Sequence, residues 1–237
     1  MRRLDDCLRE EESFFGPGWD LAISLIAVLI LTLAIEAAAH LSIEHQGQLE
    51  IRGILNSQMR LVDALAAHYG TARRDIARDT YGIFVRTASA TPDITIHDEA
   101  TLQRISFGGH VLFESDDTVL RPEGAAILRV LSATLQSELD HIMEIEIQGH
   151  ADLLQPKVFH SNLELAARRA ITVYQSLQSF GLDPSRSIMS ATSFGEYVPV
   201  TRRNSDSAYS RAKLLLDNDT REKQRLNRRI EVVLIYR

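Results

Sequence analysis

Residues 149–177 read GHADLLQPKVFHSNLELAARRAITVYQSL. Just upstream, Met143, Ile145 and Ile147 alternate with Glu144, Glu146 and Gln148. That strict period of two marks a strand with one buried and one solvated side. Downstream, Leu163–Phe180 carries a helical pattern closed by Gly181 and then Pro184, two residues that end helices for separate reasons: glycine accepts the left-handed cap, and proline cannot continue the ladder. The stretch therefore links a strand to a helix and gathers Asp152, Asn162, Arg168 and Arg169 around that link.

Working outward, residues from about 102 keep alternating between strands and helices. VLFESDDTVLRPEGAAILRVLSATLQSEL starts extended, turns at Ser115-Asp116-Asp117 and enters a helix at Pro122, a favourable first helical position. Ala126, Ile127, Val130, Leu131, Thr134 and Leu135 give that helix one apolar face. Ser187–Thr192 and Ile230–Tyr236 supply further strands. The polar stretch 202–227 is long for a compact domain, with a short helix expected near Ser210–Leu216. The pattern predicts a β-α-β-α-β-β domain of the α+β class with a mixed sheet, long enough to bury its own core.

The whole chain has 237 residues, 45% hydrophobic and 24% charged, with a net charge of −6. These fractions exclude disorder and collagen-like repeats. The acidic balance argues against nonspecific nucleic-acid binding, and nucleic acid is not an expected partner. Cys7 is the single cysteine, so neither an internal disulfide framework nor a cysteine-cluster metal site is available. His150, Asp152 and His160 offer only an H-x-D spacing with no firm third ligand, and no metal or catalytic cofactor is expected. No nucleophile–base constellation or phosphate loop is present, which argues against an enzyme.

One local extreme stands apart. Leu21–Ile35, LAISLIAVLILTLAI, holds fifteen residues without a charge, and the apolar character continues to Leu41, interrupted by Glu36 and His40. Roughly twenty such residues cross a bilayer core of about 30 Å. A cleaved signal peptide is the weaker reading because MRRLDDCLREEE is net acidic where a positive segment is wanted. A core helix apolar on every face would need partners to bury it. A single-pass anchor is the expectation. Asp20 stands at the mouth of this helix, after Gly16-Pro17-Gly18-Trp19. An aspartate there is favoured by the helix dipole with no function attached. A carboxylate entering a membrane is also costly unless it serves an ion or proton site. Both readings stay open on position alone. Beyond the span, residues 42–80 are expected to be helical, with Ile51, Leu55, Val62, Leu65 and Tyr69 near a heptad seam that suits either a parallel dimer or packing on the chain's own domain. Residues 86–101 read as a boundary with a short strand at Ile94–Ile96.

The segment 149–177 resembles the peptidoglycan-binding motif of OmpA-like domains, of the form GHTD…N..LS..RA..V…L. Phe194-Gly195-Glu196-Tyr197-Val198-Pro199-Val200 resembles that family's G-E-x-x-P turn, and Asn227-Arg228-Arg229-Ile230-Glu231 resembles its N-R-R-V-E strand. The three motifs occur in order across residues 107–237. SNLELAARRA is similar to the corresponding stretch of the flagellar stator protein MotB, and a membrane helix opening Trp19-Asp20-Leu21 ahead of such a domain resembles the B subunits of ion-driven motors, MotB and the anti-phage ZorB. The compact length and the 202–227 stretch lean toward the ZorB-like form.

The resemblance implies a peptidoglycan ligand, the zwitterionic diaminopimelate of the stem peptide, with Asp152 taking the ammonium and Arg169 the carboxylate, and with Asn162 and Leu165 shaping the loop and helix start. A bidentate arginine fork suits that carboxylate. Arg168 is the alternative in a shifted alignment. The resemblance further implies that Asp20 carries protons or sodium, that the chain forms a homodimer, and that two copies sit inside five multi-span MotA- or ZorA-like subunits. The organisation implied is a cytoplasmic segment 1–19, an inner-membrane span 20–41, a helical linker, dimerisation or plug region 42–101, and a periplasmic OmpA-like domain 102–237. Ala151 and Ala166 depart from the family's threonine and serine, and the Asp152–Asn162 loop is longer than in OmpA. A passive tether between inner membrane and wall, without ion conduction, is the competing function, and a flagellar MotB stator another.

Overall fold

The computed structural model describes residues 18–84, 91–202 and 209–237. Thirteen elements follow in order among these residues: α1 (Gly18–His68), β1 (Arg74–Ala77), β2 (Thr80–Ile83), β3 (Ile94–Asp98), β4 (Leu102–Gly108), α2 (Gly109–Leu112), α3 (Pro122–Glu138), β5 (Ile142–His150), α4 (Asn162–Ser179), β6 (Ile188–Gly195), α5 (Arg211–Leu216), α6 (Arg221–Asn227) and β7 (Arg229–Tyr236). The chain divides into two compact units, 1–50 and 51–237.

Within the first unit, the described part of α1 exposes Leu21, Leu25, Ile26, Leu29, Leu33 and Ile35. Side chains this apolar are stable in that setting when hydrocarbon replaces water around them. By length and composition the segment can cross a membrane. The N-terminal segment with Cys7, and the side chain of Asp20, lie outside the described residues.

The second unit is built on one seven-stranded sheet ordered β1-β2-β3-β4-β7-β5-β6. Among the described residues only β5 and β6 run parallel; the other neighbours are antiparallel. This is the expected mixed sheet of an α+β domain. α4 is the crossover between the two parallel strands, a connection that parallel pairing requires. Alternation decides what is buried: Ile105 and Phe107 of β4, Ile145 and Ile147 of β5, and Ile230, Val232 and Leu234 of β7 enter the core. Ile127, Leu128, Leu131 and Leu135 of α3, with Ala170, Val173 and Leu177 of α4, join the same core, spaced as one stripe of each helix. Pro122 opens α3 as anticipated.

The helix expected over 42–80 closes at His68. Gly70 follows with a φ of +61°, a left-handed conformation that glycine enters without steric cost and that breaks the ladder. Residues 74–83 then form a hairpin, and with β3 they extend the sheet on its β4 side. Four-residue strands such as β1 and β2 carry too little periodicity to be legible in sequence. The heptad seam divides: Val62 and Leu65 are buried in the domain, while Ile51 and Leu55 stay exposed. In the 202–227 stretch the expected short helix is α5, and a second, α6, follows, each capped by a side chain, Ser210 and Thr220.

Candidate functional site

β5 ends at His150 and delivers Ala151 and Asp152 to the carboxyl edge of the sheet. The Ala151 N–H donates to the Gly195 carbonyl at 2.7 Å, which holds the exit of β5 against the exit of β6. Gly195 has a φ of +52°, and a Cβ there would approach the Leu163 backbone nitrogen to 3.2 Å, so the G-E-x-x-P turn and the start of α4 pack backbone to backbone. Gly149 is tighter still: a Cβ would lie 2.1 Å from the Ala166 carbonyl oxygen. Ala166 is itself buried.

Asp152 is only 3% exposed. One carboxylate oxygen accepts the Leu154 N–H at 3.2 Å, and the other meets the guanidinium of Arg228. The Asp152 carbonyl accepts from the Asn162 side-chain amide at 2.9 Å. Ser161 caps α4 by accepting the Glu164 N–H at 3.1 Å, while Glu164 reaches back to the His160 N–H at 3.1 Å. That reciprocal pair is a variant of the capping box. It satisfies two amides at the helix start and fixes where the long loop rejoins the fold. Ser161, Asn162 and Glu164 thus supply the hydrogen bonds that hold the loop to the start of α4.

Arg169 is buried, and its Nε and Nη2 donate to the carbonyls of Asp117 at 2.8 Å and Glu114 at 3.1 Å. Its guanidinium lies 5.2 Å from the centre of the Phe113 ring. Burial lowers its pKa below the usual arginine value, yet it remains a cation at any physiological pH. Arg168 points elsewhere: it is exposed and pairs with Glu164 at 3.0 Å, one helical turn back. Of the two adjacent arginines, Arg169 is therefore the one that lines the cleft.

The cleft measures about 900 Å³ and lies between the 114–117 turn and the 152–159 loop. Lys157 N–H donates to Asp116 at 2.8 Å, tying the two rims together. Asp152, Asn162, Leu165 and Arg169, all expected from sequence, line it together. Arg228 lines it as well, a participant that the sequence reading placed only in a strand motif. The doubled arginine of N-R-R-I-E carried the signal, since neighbours at a strand start cannot both face one side. A buried carboxylate beside two guanidinium groups, in a cavity of this size, suits a ligand bearing both an ammonium and a carboxylate. Among the described residues no cluster of three metal-ligating side chains occurs.

The OmpA family model matches residues 112–213. No curated protein matches the chain. Among solved structures, a putative MotB-like protein from Desulfovibrio vulgaris is 21% identical with a TM-score of 0.55, the match covering 79% of this chain and 99% of that one. The periplasmic domain of Helicobacter pylori MotB is 18% identical with a TM-score of 0.52, covering 67% of this chain and 87% of that one. At these identities the likeness is one of fold. The residues matched by the OmpA family model, 112–213, include the 114–117 turn, the 152–159 loop and α4, the segments that build the cleft.

Proposed function

We propose that the chain is a membrane-tethered, peptidoglycan-anchored B subunit of an ion-driven motor. The buried Asp152 and Arg169 facing one cleft carry the wall-binding half of this reading: a diaminopimelate centre would place its ammonium at Asp152 and its carboxylate at Arg169. The motor half rests on Asp20 in the first turn of α1, at the start of a segment apolar enough to cross the membrane. With the domain on the periplasmic side of a single span, the cleft would meet the wall polymer. Protons or sodium ions bound at Asp20 would change how a surrounding MotA- or ZorA-like ring holds a dimer of this chain, and a cycle of unequal affinities would do the work.

Two substitutions test the two halves separately. Asp152→Ala or Arg169→Ala should weaken co-sedimentation with purified peptidoglycan by on the order of ten- to a hundredfold, the loss expected for one charge-assisted contact. Asp20→Asn should leave membrane insertion and co-purification with the ring subunit intact while abolishing the system's phenotype, whether motility or phage resistance. Wild-type wall binding by both domain variants rules out the cleft. A working Asp20→Asn variant leaves a passive tether.

A further inference from the structure

The sheet face turned away from α3 and α4 holds a second cleft of about 790 Å³, lined by Arg104, His150 and Glu231 among others. Arg104 and Arg229 each donate to Glu231 at 2.6 Å, so the charges on its floor are met from within. One wall is α6, which turns Arg225 inward to 3.8 Å from the Asp93 carboxylate. The outer surface of α5 and α6 is used by neither the wall-binding nor the ion-carrying half of the proposed function.

That surface is firmly built. Ser210 and Thr220 cap the two helices. Two buried asparagines knot them together: the Asn227 amide donates to Asn218 Oδ1 at 2.8 Å and to the Asp217 carbonyl at 2.9 Å. The Asn218 amide in turn donates to the Leu214 carbonyl at 3.0 Å. Leu214 is buried beneath α5, whereas Leu215 is 53% exposed and Leu216 61% exposed. Helical residues follow one another at about 100°, so seating Leu214 turns the next two leucines outward. Exposed Arg211 and Ala212 stand one turn before Leu215 and Leu216, on the same sides of the helix.

Charge distinguishes this surface from the rest of the molecule. Residues 210–228 carry six cations and three acids, a net +3 in a chain of net −6, so the remainder carries −9. Arg211 and Arg221 are exposed at the starts of the two helices. Just before α5, the Tyr209 ring takes two further cations, Arg202 at 4.6 Å and Lys213 at 5.2 Å from its centre.

We propose that the outer surface of α5 and α6 docks on an anionic phospholipid bilayer, with Leu215 and Leu216 entering the headgroup boundary and Arg211 and Arg221 meeting lipid phosphates. Leucines framed by arginine, lysine and tyrosine are the composition that settles at a membrane interface. Charge selects which part of the domain approaches. Anionic headgroups repel the acidic remainder of the chain and attract this basic corner once it lies within a Debye length of about 8 Å. A bilayer is at hand, because α1 carries a stretch apolar enough to cross one. Resting on that span and on no other part of the proposed function, the contact gains from tethering, which turns a weak surface affinity into a populated state.

The experiment uses the full chain in nanodiscs of phosphatidylcholine, alone or with about 30% phosphatidylglycerol. A fluorophore on Ala212→Cys, in a Cys7→Ser background, reports from the same side of α5 as Leu216. Its quenching by spin-labelled lipid should be about threefold stronger in the anionic discs and should fall to the neutral-disc level in about 0.5 M salt. Arg211→Glu with Arg221→Glu, or Leu215→Ser with Leu216→Ser, should abolish the difference. All four positions are exposed, so urea midpoints and peptidoglycan co-sedimentation should stay at the parent values, which separates this contact from the wall cleft. Equal quenching in both discs, or none, overturns the proposal while leaving the span intact. A chain that enters neither disc overturns the span and the proposal together. Without lipid-dependent quenching, a photo-crosslinker at Ala212 that captures a protein in cell membranes makes this a protein-docking surface instead.

Discussion

Asp152 at the end of β5 is paired with Arg228 at the start of β7, 76 residues later in the chain. The carboxylate proposed to receive a ligand's ammonium is already engaged by a guanidinium from its own fold. Arg228 is 40% exposed along its side chain, whereas Asp152 is 4% exposed. The acid is buried in the fold, and the arginine approaches it from the partly exposed side.

Arg228 is therefore expected to compete with the ligand. Arg228→Ala should raise peptidoglycan co-sedimentation above that of the parent chain. The same substitution leaves a buried carboxylate short of its partner and should lower stability by about 1–2 kcal/mol, a value discounted for the exposure of the arginine. Binding and urea-denaturation curves on one variant would show the two effects moving in opposite directions. Weaker wall binding would make Arg228 a ligand contact in its own right.

Glu138, at the end of α3, fastens the last turns of α1 to the domain. It is buried and accepts from Ser57 Oγ at 2.7 Å and from Arg60 at 2.6 Å. Glu138→Gln removes the charge from these contacts and should cost about 1–2 kcal/mol, since Arg60 is half exposed and screened. Trypsin digestion near Arg60 should accelerate in step. An unchanged denaturation midpoint would mean that apolar packing by Leu61, Val62 and Leu65 alone holds this helix.

Acid should destabilise the domain in two stages. Burial holds His150 well below its ordinary value, at about 3, so the unfolded chain takes the proton first. Its contribution is complete above the unfolded value of about 6.5 and is lost as pH falls toward 3. Burial opposes the charge on Glu231, but Arg229, His150 and Arg104 together outweigh it and bring that carboxyl down to about 2. The Arg60 hydrogen bond holds Glu138 below the usual carboxylate range. Both acids stabilise above the unfolded carboxylate pKa, and that stabilisation is lost as pH falls through their folded values. Urea midpoints measured from pH 8 to pH 4 should be flat at first and then decline below about 6.5, by up to about 1.4 kcal/mol per unit for a single group. His150→Phe should flatten the upper part of the decline.

Gly149→Ala should be the most damaging small substitution in the domain. The added methyl meets the Ala166 carbonyl, a backbone atom of a packed helix that cannot rotate aside. An overpacking penalty of about 3 kcal/mol is expected, visible as a lower melting temperature or loss of folded protein. A neutral outcome would show that α4 is free to slide on β5.

Much of this protein is determined by short-range pattern. The alternation of Met143–Gln148 specifies β5, and the Ser161 cap with Gly181 closure brackets α4, because hydrogen-bond satisfaction at helix ends is a local matter. The uncharged run Leu21–Ile35 is equally self-contained, since solvent preference depends on the residues themselves. The ordered motifs brought Asp152, Asn162, Leu165 and Arg169 into view. The tertiary structure alone decided their partners. Nothing local distinguishes Arg168 from Arg169 until α4 packs against the 114–117 turn. Nothing local joins Asp152 to Arg228, because that contact requires β5 and β7 to pair. Gln148, His150 and Asp152 share one parity, and an unbroken strand would send all three to the same side of the sheet. β5 ends at His150, with an irregular register at Gly149–His150, and the chain leaves the ladder there. His150 thus faces one cleft and Asp152 the other, because side-chain alternation holds only as far as strand pairing continues.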